Sequence, residues 1–448
     1  MKHSLFRTGL MNKSVHLRPR SKTMLWIRKR SFRLLMMSII IIASCLFGLS
    51  VVARQPDHIS ILMPAPFADS TVELVKSFNQ QNKGRIHLNV IRGPLETEAI
   101  SDLAISSLLL GDTPFDGLLM DVTWVPKYAR AGWLESLDSY FNNDEVRALA
   151  SGASEGNHYQ GSLLRWPLTA DIGLLYWRTD LMDHPPQTPQ ELENISQKLQ
   201  SNGRVPYGYV WQGRQYEGLS CVFLEIIDGF GGEWFSPESG EIGLDKPAGL
   251  AAAQWLDGLI QRGISPRAVT NFSESEALQS FKSGQAAFMR NWPYAWAELQ
   301  KNDSQVRDKI AITTMVAQTG HQPAATLGSW GLSLLKGSAH PESTVEAFKF
   351  LTSEESQRYL YSQYGYTPTQ KAIFNDQTLL KKHPSLQAIG EALVYARSRP
   401  ETPLYAQVSD VLQRKLSGTL TDMTSPTAGM QQAEQSTTQV LEAAGAAP

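Results

Sequence analysis

The sequence predicts an α/β protein built on open sheets flanked by helices. Strand-like and helix-like segments alternate from Ile59 onward in a βαβαβ order, which favours a sheet that receives ligands at the carboxyl ends of its strands. The chain has 448 residues, 42% of them hydrophobic and only 19% charged, a composition that supports large cores and lies outside the disordered class. It has two cysteines, too few for a disulfide framework, so stability must come from packing.

Taken in order, Ile59–Met63 reads as a strand and Thr71–Gln80 as a helix, with Val72, Leu74, Val75 and Phe78 on one stripe. Ile86–Ile91 is a second strand. A helix over Glu96–Leu110 stops at Gly111, and a third strand, Gly117–Met120, runs into Asp121 at its carboxyl end. In the middle, Gly173–Trp177 and Tyr207–Trp211 read as strands, and Pro189–Gln200, Glu217–Ile227 and Lys246–Arg262 as helices. Ala286–Arg290, Ile310–Val316 and Leu327–Leu335 are further strands. Helices dominate from Pro341: 341–353, 354–363, 377–396, 403–417 and 428–444, the last fraying at Gly445–Pro448. No repeat of fixed period is present.

The net charge of −2 conceals an asymmetry. Residues 1–53 carry ten Lys and Arg and no acid, so the remainder holds 31 basic and 43 acidic residues, about −12. An uncharged run from Leu34 to Ala53 follows the last of those cations, the layout of an export signal. Two processing sites fit it: cleavage between Ala53 and Arg54, or a lipobox, Ile42-Ala43-Ser44-Cys45, with lipid on Cys45. Twenty apolar residues also just reach across a bilayer as a permanent anchor. Translation from Met24 would give a leader of ordinary length. With Cys45 removed or lipidated, Cys221 has no partner, and its apolar helical surroundings make it a buried small hydrophobe.

Motifs for nucleophilic, phosphate-binding, dinucleotide or metalloprotease chemistry are absent. The nine histidines show no metal-binding spacing, and no metal or cofactor is expected. Asp121, Asp171 and Glu217 could form a glycosidase pair, which keeps a glycoside hydrolase as an alternative. The acidic body lacks the basic stripe of a nucleic-acid binder, and no nucleic-acid partner is expected.

The aromatic residues are the strongest signal. Eleven tryptophans include several that lie among Gly, Pro and charged residues instead of on helical core stripes. Trp124 follows Asp121; Trp211 opens Gln212-Gly213-Arg214-Gln215-Tyr216-Glu217; Trp292 and Trp296 flank Pro293-Tyr294; and Trp330 sits in Gly328-Ser329-Trp330-Gly331. Ring faces beside carboxylates and guanidinium groups suit a sugar, whose C–H faces stack while its hydroxyls bond to the charged groups.

These segments, with Trp166–Asp171, Leu174–Leu181, Tyr209–Leu219, Ala286–Trp296, Leu327–Leu335, His340–Glu355 and Arg397–Gln413, resemble the extracellular solute-binding proteins that serve carbohydrate ABC importers, close to the trehalose/maltose type. The resemblance runs from about Ile59 to Leu412. It implies a two-lobe periplasmic-binding-protein fold, hinged, each lobe an open sheet flanked by helices. The N-terminal lobe would comprise 54–168 and 312–377, and the other lobe 169–311 and 378–448. It further implies a non-enzymatic, monomeric protein in the periplasm or on the outer face of the membrane, which captures a sugar between its lobes and passes it to permease subunits. A sensory ectodomain held by an uncleaved helix is the other non-enzymatic alternative.

Ligand roles follow where motifs match. Asp121 and Asp171 would accept hydroxyl bonds, and Trp292 and Tyr294 would stack. Trp330 would add a ring face with Ser329 beside it, Tyr216 and Glu217 would join them, and Arg399 would donate to hydroxyls. Asp69 is the only acid on offer in the first strand-to-helix loop, where such relatives carry one. Ile100-Ser101 stand where they place an arginine. Losing that donor puts trehalose or maltose in doubt and leaves room for glucosylglycerol or sucrose.

Overall fold

In the computed structural model, residues 32–40, 55–111, 114–236 and 239–445 are described. Cys45 and the Ala53–Arg54 junction lie outside them. The chain divides into two units, Met1–Gln55 and Pro56–Pro448. In the first, residues 32–40 are helical. Among the described residues no helix is long and apolar enough to cross a membrane.

The second unit opens with β1 (Asp57–Met63), α1 (Ala65–Ser70), α2 (Val72–Gln81), β2 (Ile86–Arg92), α3 (Thr97–Leu109) and β3 (Gly117–Asp121), the expected alternation except for the short helix α1, which was not expected. It continues through β4 (Trp166–Pro167), β5 (Leu174–Arg178), α4 (Pro189–Ser201), β6 (Tyr207–Val210), α5 (Glu217–Gly229), α6 (Pro247–Gln261), α7 (Glu274–Lys282), β7 (Ala286–Asn291), α8 (Tyr294–Leu299), β8 (Ile310–Thr313) and β9 (Trp330–Leu334). The larger helices that follow are α9 (Pro341–Leu351), α10 (Glu354–Tyr364), α11 (Tyr405–Leu420) and α12 (Pro426–Ala443).

Two sheets organise these elements. One has the order β2-β1-β3-β9-β4, the first three strands parallel and β9 antiparallel to both its neighbours. The other has the order β8-β5-β7-β6, antiparallel except for β6 beside β7. Between them, the chain segments around Ile172 and Leu327 meet at a single bridge, and Ala325–Thr326 pairs with Ala396–Arg397.

Strand alternation builds the cores. Ile59, Ile61, Met63 and Leu119 face a large cluster with Leu332 and Phe348 that continues to Leu174, Tyr176 and Met289 of the second sheet. Leu62, Leu118 and Met120 face the other way, onto Ile100 of α3 and Tyr128. Under the second sheet, Val222 and Phe223 of α5 and Leu256 of α6 pack with Leu412 of α11 and Met430 of α12.

Three expectations need correction. The helix expected over 377–396 breaks into Gln377–Lys382 and Ser385–Ala392, because Pro384 supplies no N–H and clashes with the preceding turn. The strand expected over Leu327–Leu335 starts only at Trp330, since Leu327 bridges Ile172 instead. The strand expected over Ile310–Val316 ends at Thr313, the last residue to pair with β5. Helices α7 and α8 were not expected. The first is announced by a capping box between Ser273 and Glu276, and the second is too short to show a period.

Candidate functional site

A cleft of about 1020 Å³ is lined by residues that lead to both sheets. Nine of the expected site residues line it: Asp69, Asp121, Asp171, Tyr216, Glu217, Trp292, Tyr294, Trp330 and Arg399.

At the floor is a charge network. Asp121 ends β3, and its Oδ1 caps the following turn by accepting from the Thr123 N–H at 2.9 Å and hydroxyl at 2.8 Å. Arg399 Nη2 donates to both Asp121 oxygens at 2.8 and 3.0 Å, and Nη1 donates to Glu217 Oε1 at 2.7 Å. Glu217, the first residue of α5, also accepts from the Tyr405 phenol and, at 2.8 Å, from the Ser409 hydroxyl. One guanidinium, 3% exposed, therefore ties the carboxyl end of a strand in the first sheet to a helix packed on the second. Burial works against the Arg399 charge, but Asp121 leads the groups that hold its pKa well above the ordinary value. Its Nε is buried without a partner among the described residues.

Asp171 behaves differently. It accepts from the Thr367 N–H at 3.0 Å, and no Lys or Arg among the described residues forms an ion pair with it. Burial pushes its pKa up to about 6, against the Thr367 and Thr169 hydrogen bonds.

The aromatic wall is fixed by polar partners. Trp292 Nε1 donates to Glu274 Oε1 at 3.1 Å, and the Tyr216 phenol donates to Glu274 Oε2 at 2.8 Å. The Arg290 guanidinium lies 4.0 Å over the Trp292 ring and is itself fixed by Glu225, with Nε to Oε2 at 3.0 Å. Tyr176 donates to the Trp292 carbonyl at 2.8 Å. A Cβ on Gly328 would come within 2.8 Å of Trp292 Cζ3, so only glycine lets this segment approach the ring so closely. Trp330 packs edge-on against Trp124 at 5.5 Å. Burial, with Glu274 next, raises the Tyr294 phenol well above its ordinary range.

Two expected residues stand apart. Ser329 is fully buried; its hydroxyl donates to the Thr169 carbonyl and accepts from Arg165 Nη2, both at 2.7 Å, so it braces the wall from behind and does not line the cleft. Asp69 sits at the rim in an exposed pair with Arg92, 2.8 Å from its Nε, and the Arg92 hydrogen bond lowers its pKa.

Sequence reasoning missed Glu274, whose place in the first turn of α7 the Ser273–Glu276 capping box would have marked. It also missed Glu96 and Glu98 of the α3 start. Glu96 reaches Arg214 at 3.4 Å. Glu98 shares the cleft with Glu217, and its pKa is raised by burial and then by the Glu217 charge. Their partners lie more than a hundred residues away, and no local pattern announces such a contact. Cys221 is buried at the back, where burial pushes its thiol up. Among the described residues no group of three or more His, Cys, Asp or Glu is placed to hold a metal ion. The arrangement offers ring faces, carboxylate acceptors and one buried donor: the chemistry of polyhydroxyl recognition.

Residues 64–358 match the family described as bacterial extracellular solute-binding protein. A probable ABC transporter-binding protein of Deinococcus radiodurans is 34% identical over 351 residues, 76% of this chain and 83% of that protein. The maltotriose-binding protein of Pyrococcus abyssi is 25% identical over 67% of this chain and 64% of its own length. Among solved structures, maltose-bound MalE3 of T. maritima superposes with a TM-score of 0.79 at 32% identity, covering 86% of this chain and all of that one. A ribitol complex from Agrobacterium radiobacter shares the fold at 19% identity, with a TM-score of 0.77 over 86% of this chain and 99% of its own.

Proposed function

Because this chain belongs to the bacterial extracellular solute-binding protein family, we propose that it captures a small α-glucoside between two hinged lobes and delivers it to the permease of an ABC importer. The fold is the two-lobe periplasmic-binding-protein fold. The family and the relatives are binding proteins, which supports capture without chemistry.

One observation carries the ligand class: ring faces of Trp292 and Trp330 share one cleft with Asp121, Asp171, Glu217 and Arg399. The rings stack on sugar C–H faces, and the carboxylates and the guanidinium bond to hydroxyls. More carboxylates than cations line this cleft, which disfavours a phosphate ester. With no arginine at Ile100-Ser101, glucosylglycerol and sucrose stand beside trehalose and maltose as ligands. The lobes comprise 54–168 with 312–377, and 169–311 with 378–448. A ligand that touches both stabilises the closed form through contacts the open form lacks.

Residues 1–53 act as the export leader, cleaved after Ala53 or lipidated at Cys45, and mass spectrometry of the mature N-terminus distinguishes the two. Calorimetric titration with maltose, trehalose, sucrose and glucosylglycerol tests the ligand class. At least one should bind well below 1 mM; if none binds tighter than about 1 mM, roughly −4 kcal/mol, the glucoside reading fails.

A further inference from the structure

We propose that the cleft contains a second carbohydrate platform, built from Tyr366 and Tyr364, which takes one further glycosyl unit of the bound sugar. This rests on the glucoside reading above and extends it beyond the Trp292–Trp330 pair.

A continuous run of rings leads away from Trp330. Phe67 lies 5.5 Å from Trp330, Tyr366 stacks on Phe67 at 4.6 Å, and Tyr364 follows Tyr366 at 6.4 Å with the planes only 29° apart. All four line the same cleft as the charge network. A local device produces this placement. Gly365 ends α10 in the left-handed conformation, with φ 76°, so the tyrosines on either side of it both turn onto the cleft. A Cβ there would come within 3.0 Å of Tyr294 Cα, which presses the turn against the segment that bears Tyr294.

The two rings differ in how open they are. Tyr366 is half-buried with Phe67 stacked on it, whereas Tyr364 remains 38% exposed. Gln363, next to Tyr364 in the chain, and Gln300 line the same cleft and supply amide donors and acceptors for hydroxyls. The cleft volume of about 1020 Å³ lies just above the roughly 300–1,000 Å³ that small-molecule sites occupy. Rings with amide neighbours, continuous with a sugar site, suit a further pyranose.

The test compares each parent sugar with its α-glucosyl-extended homologue by calorimetry: maltose with maltotriose, trehalose with glucosyltrehalose, sucrose with melezitose, and glucosylglycerol with maltosylglycerol. For the parent that binds, the extended sugar should bind wild type about fivefold tighter, as one added stacking contact implies. Tyr364→Ala should remove that margin and leave parent affinity within about twofold, while Tyr364→Phe, which keeps the ring, should retain it. Circular dichroism establishes that each variant is folded. A parent that binds with no gain on extension, or a gain that survives Tyr364→Ala, overturns the platform alone. If no sugar binds, the glucoside reading falls and takes the platform with it.

Discussion

Asp121 and Asp171 are both aspartates lining one cleft, yet their surroundings give them different properties. Asp121 is matched by the Arg399 guanidinium; Asp171 is buried with hydrogen bonds alone, and its pKa rises to about 6. A raised carboxyl pKa means that the charged acceptor is lost as pH falls through that value. If Asp171 accepts a ligand hydroxyl in its ionised form, affinity should drop about tenfold between pH 7.5 and pH 5, and Asp171→Asn should flatten the profile. An unchanged wild-type affinity at pH 5 would exclude that role. At the wall, Trp292→Ala should weaken binding by about 1–3 kcal/mol through lost stacking, and unaltered affinity in titration would remove Trp292 from the site. Tryptophans among glycines and acids marked Trp292 and Trp330 from local sequence, but the same pattern also marked Trp211, which is fully buried in a core. The partners were not legible there. Glu274, which holds both Trp292 and Tyr216, lies in a segment that carried no expected element.

At the scale of elements, positions follow from hydrophobic period and caps. Gln377–Ala392 shows the limit: its period continued past Pro384 while its backbone could not. The packing of α5 on β7 adds a constraint that neither element announces alone. Arg290 and Glu225 are fully buried and paired, and a Cβ on Gly173 of the neighbouring segment would collide with the Glu225 carboxylate. Removing one partner of such a pair leaves an uncompensated buried charge, at a cost of about 3–5 kcal/mol. Glu225→Ala should therefore lower the thermal midpoint by several degrees and loosen the guanidinium under Trp292. A variant with unchanged melting would show that the pair is dispensable to the fold.

For the whole molecule, Arg399 matters most. It joins Asp121 to Glu217, groups 96 residues apart, and Glu96–Arg214 spans the same division near the surface. Exposed pairs like the second contribute little, whereas a desolvated guanidinium between two carboxylates is costly to truncate. In the hinged reading, Arg399→Leu should weaken sugar binding at least tenfold and abolish ligand-induced compaction in small-angle scattering. Wild-type compaction in that variant would mean that closure does not depend on the bridge.

The sequence by itself determined the alternation of strands and helices, the basic N-terminal stretch, the aromatic and acidic segments, and the family, because each is a local pattern or an ordered series of them. Only the tertiary structure decided that Ser329 faces away from the cleft, that Glu274 and Glu98 face into it, and that Tyr364 and Tyr366 continue the ring wall from Trp330. Those outcomes depend on which distant segment fills the space beside a residue, and chain order does not encode that directly.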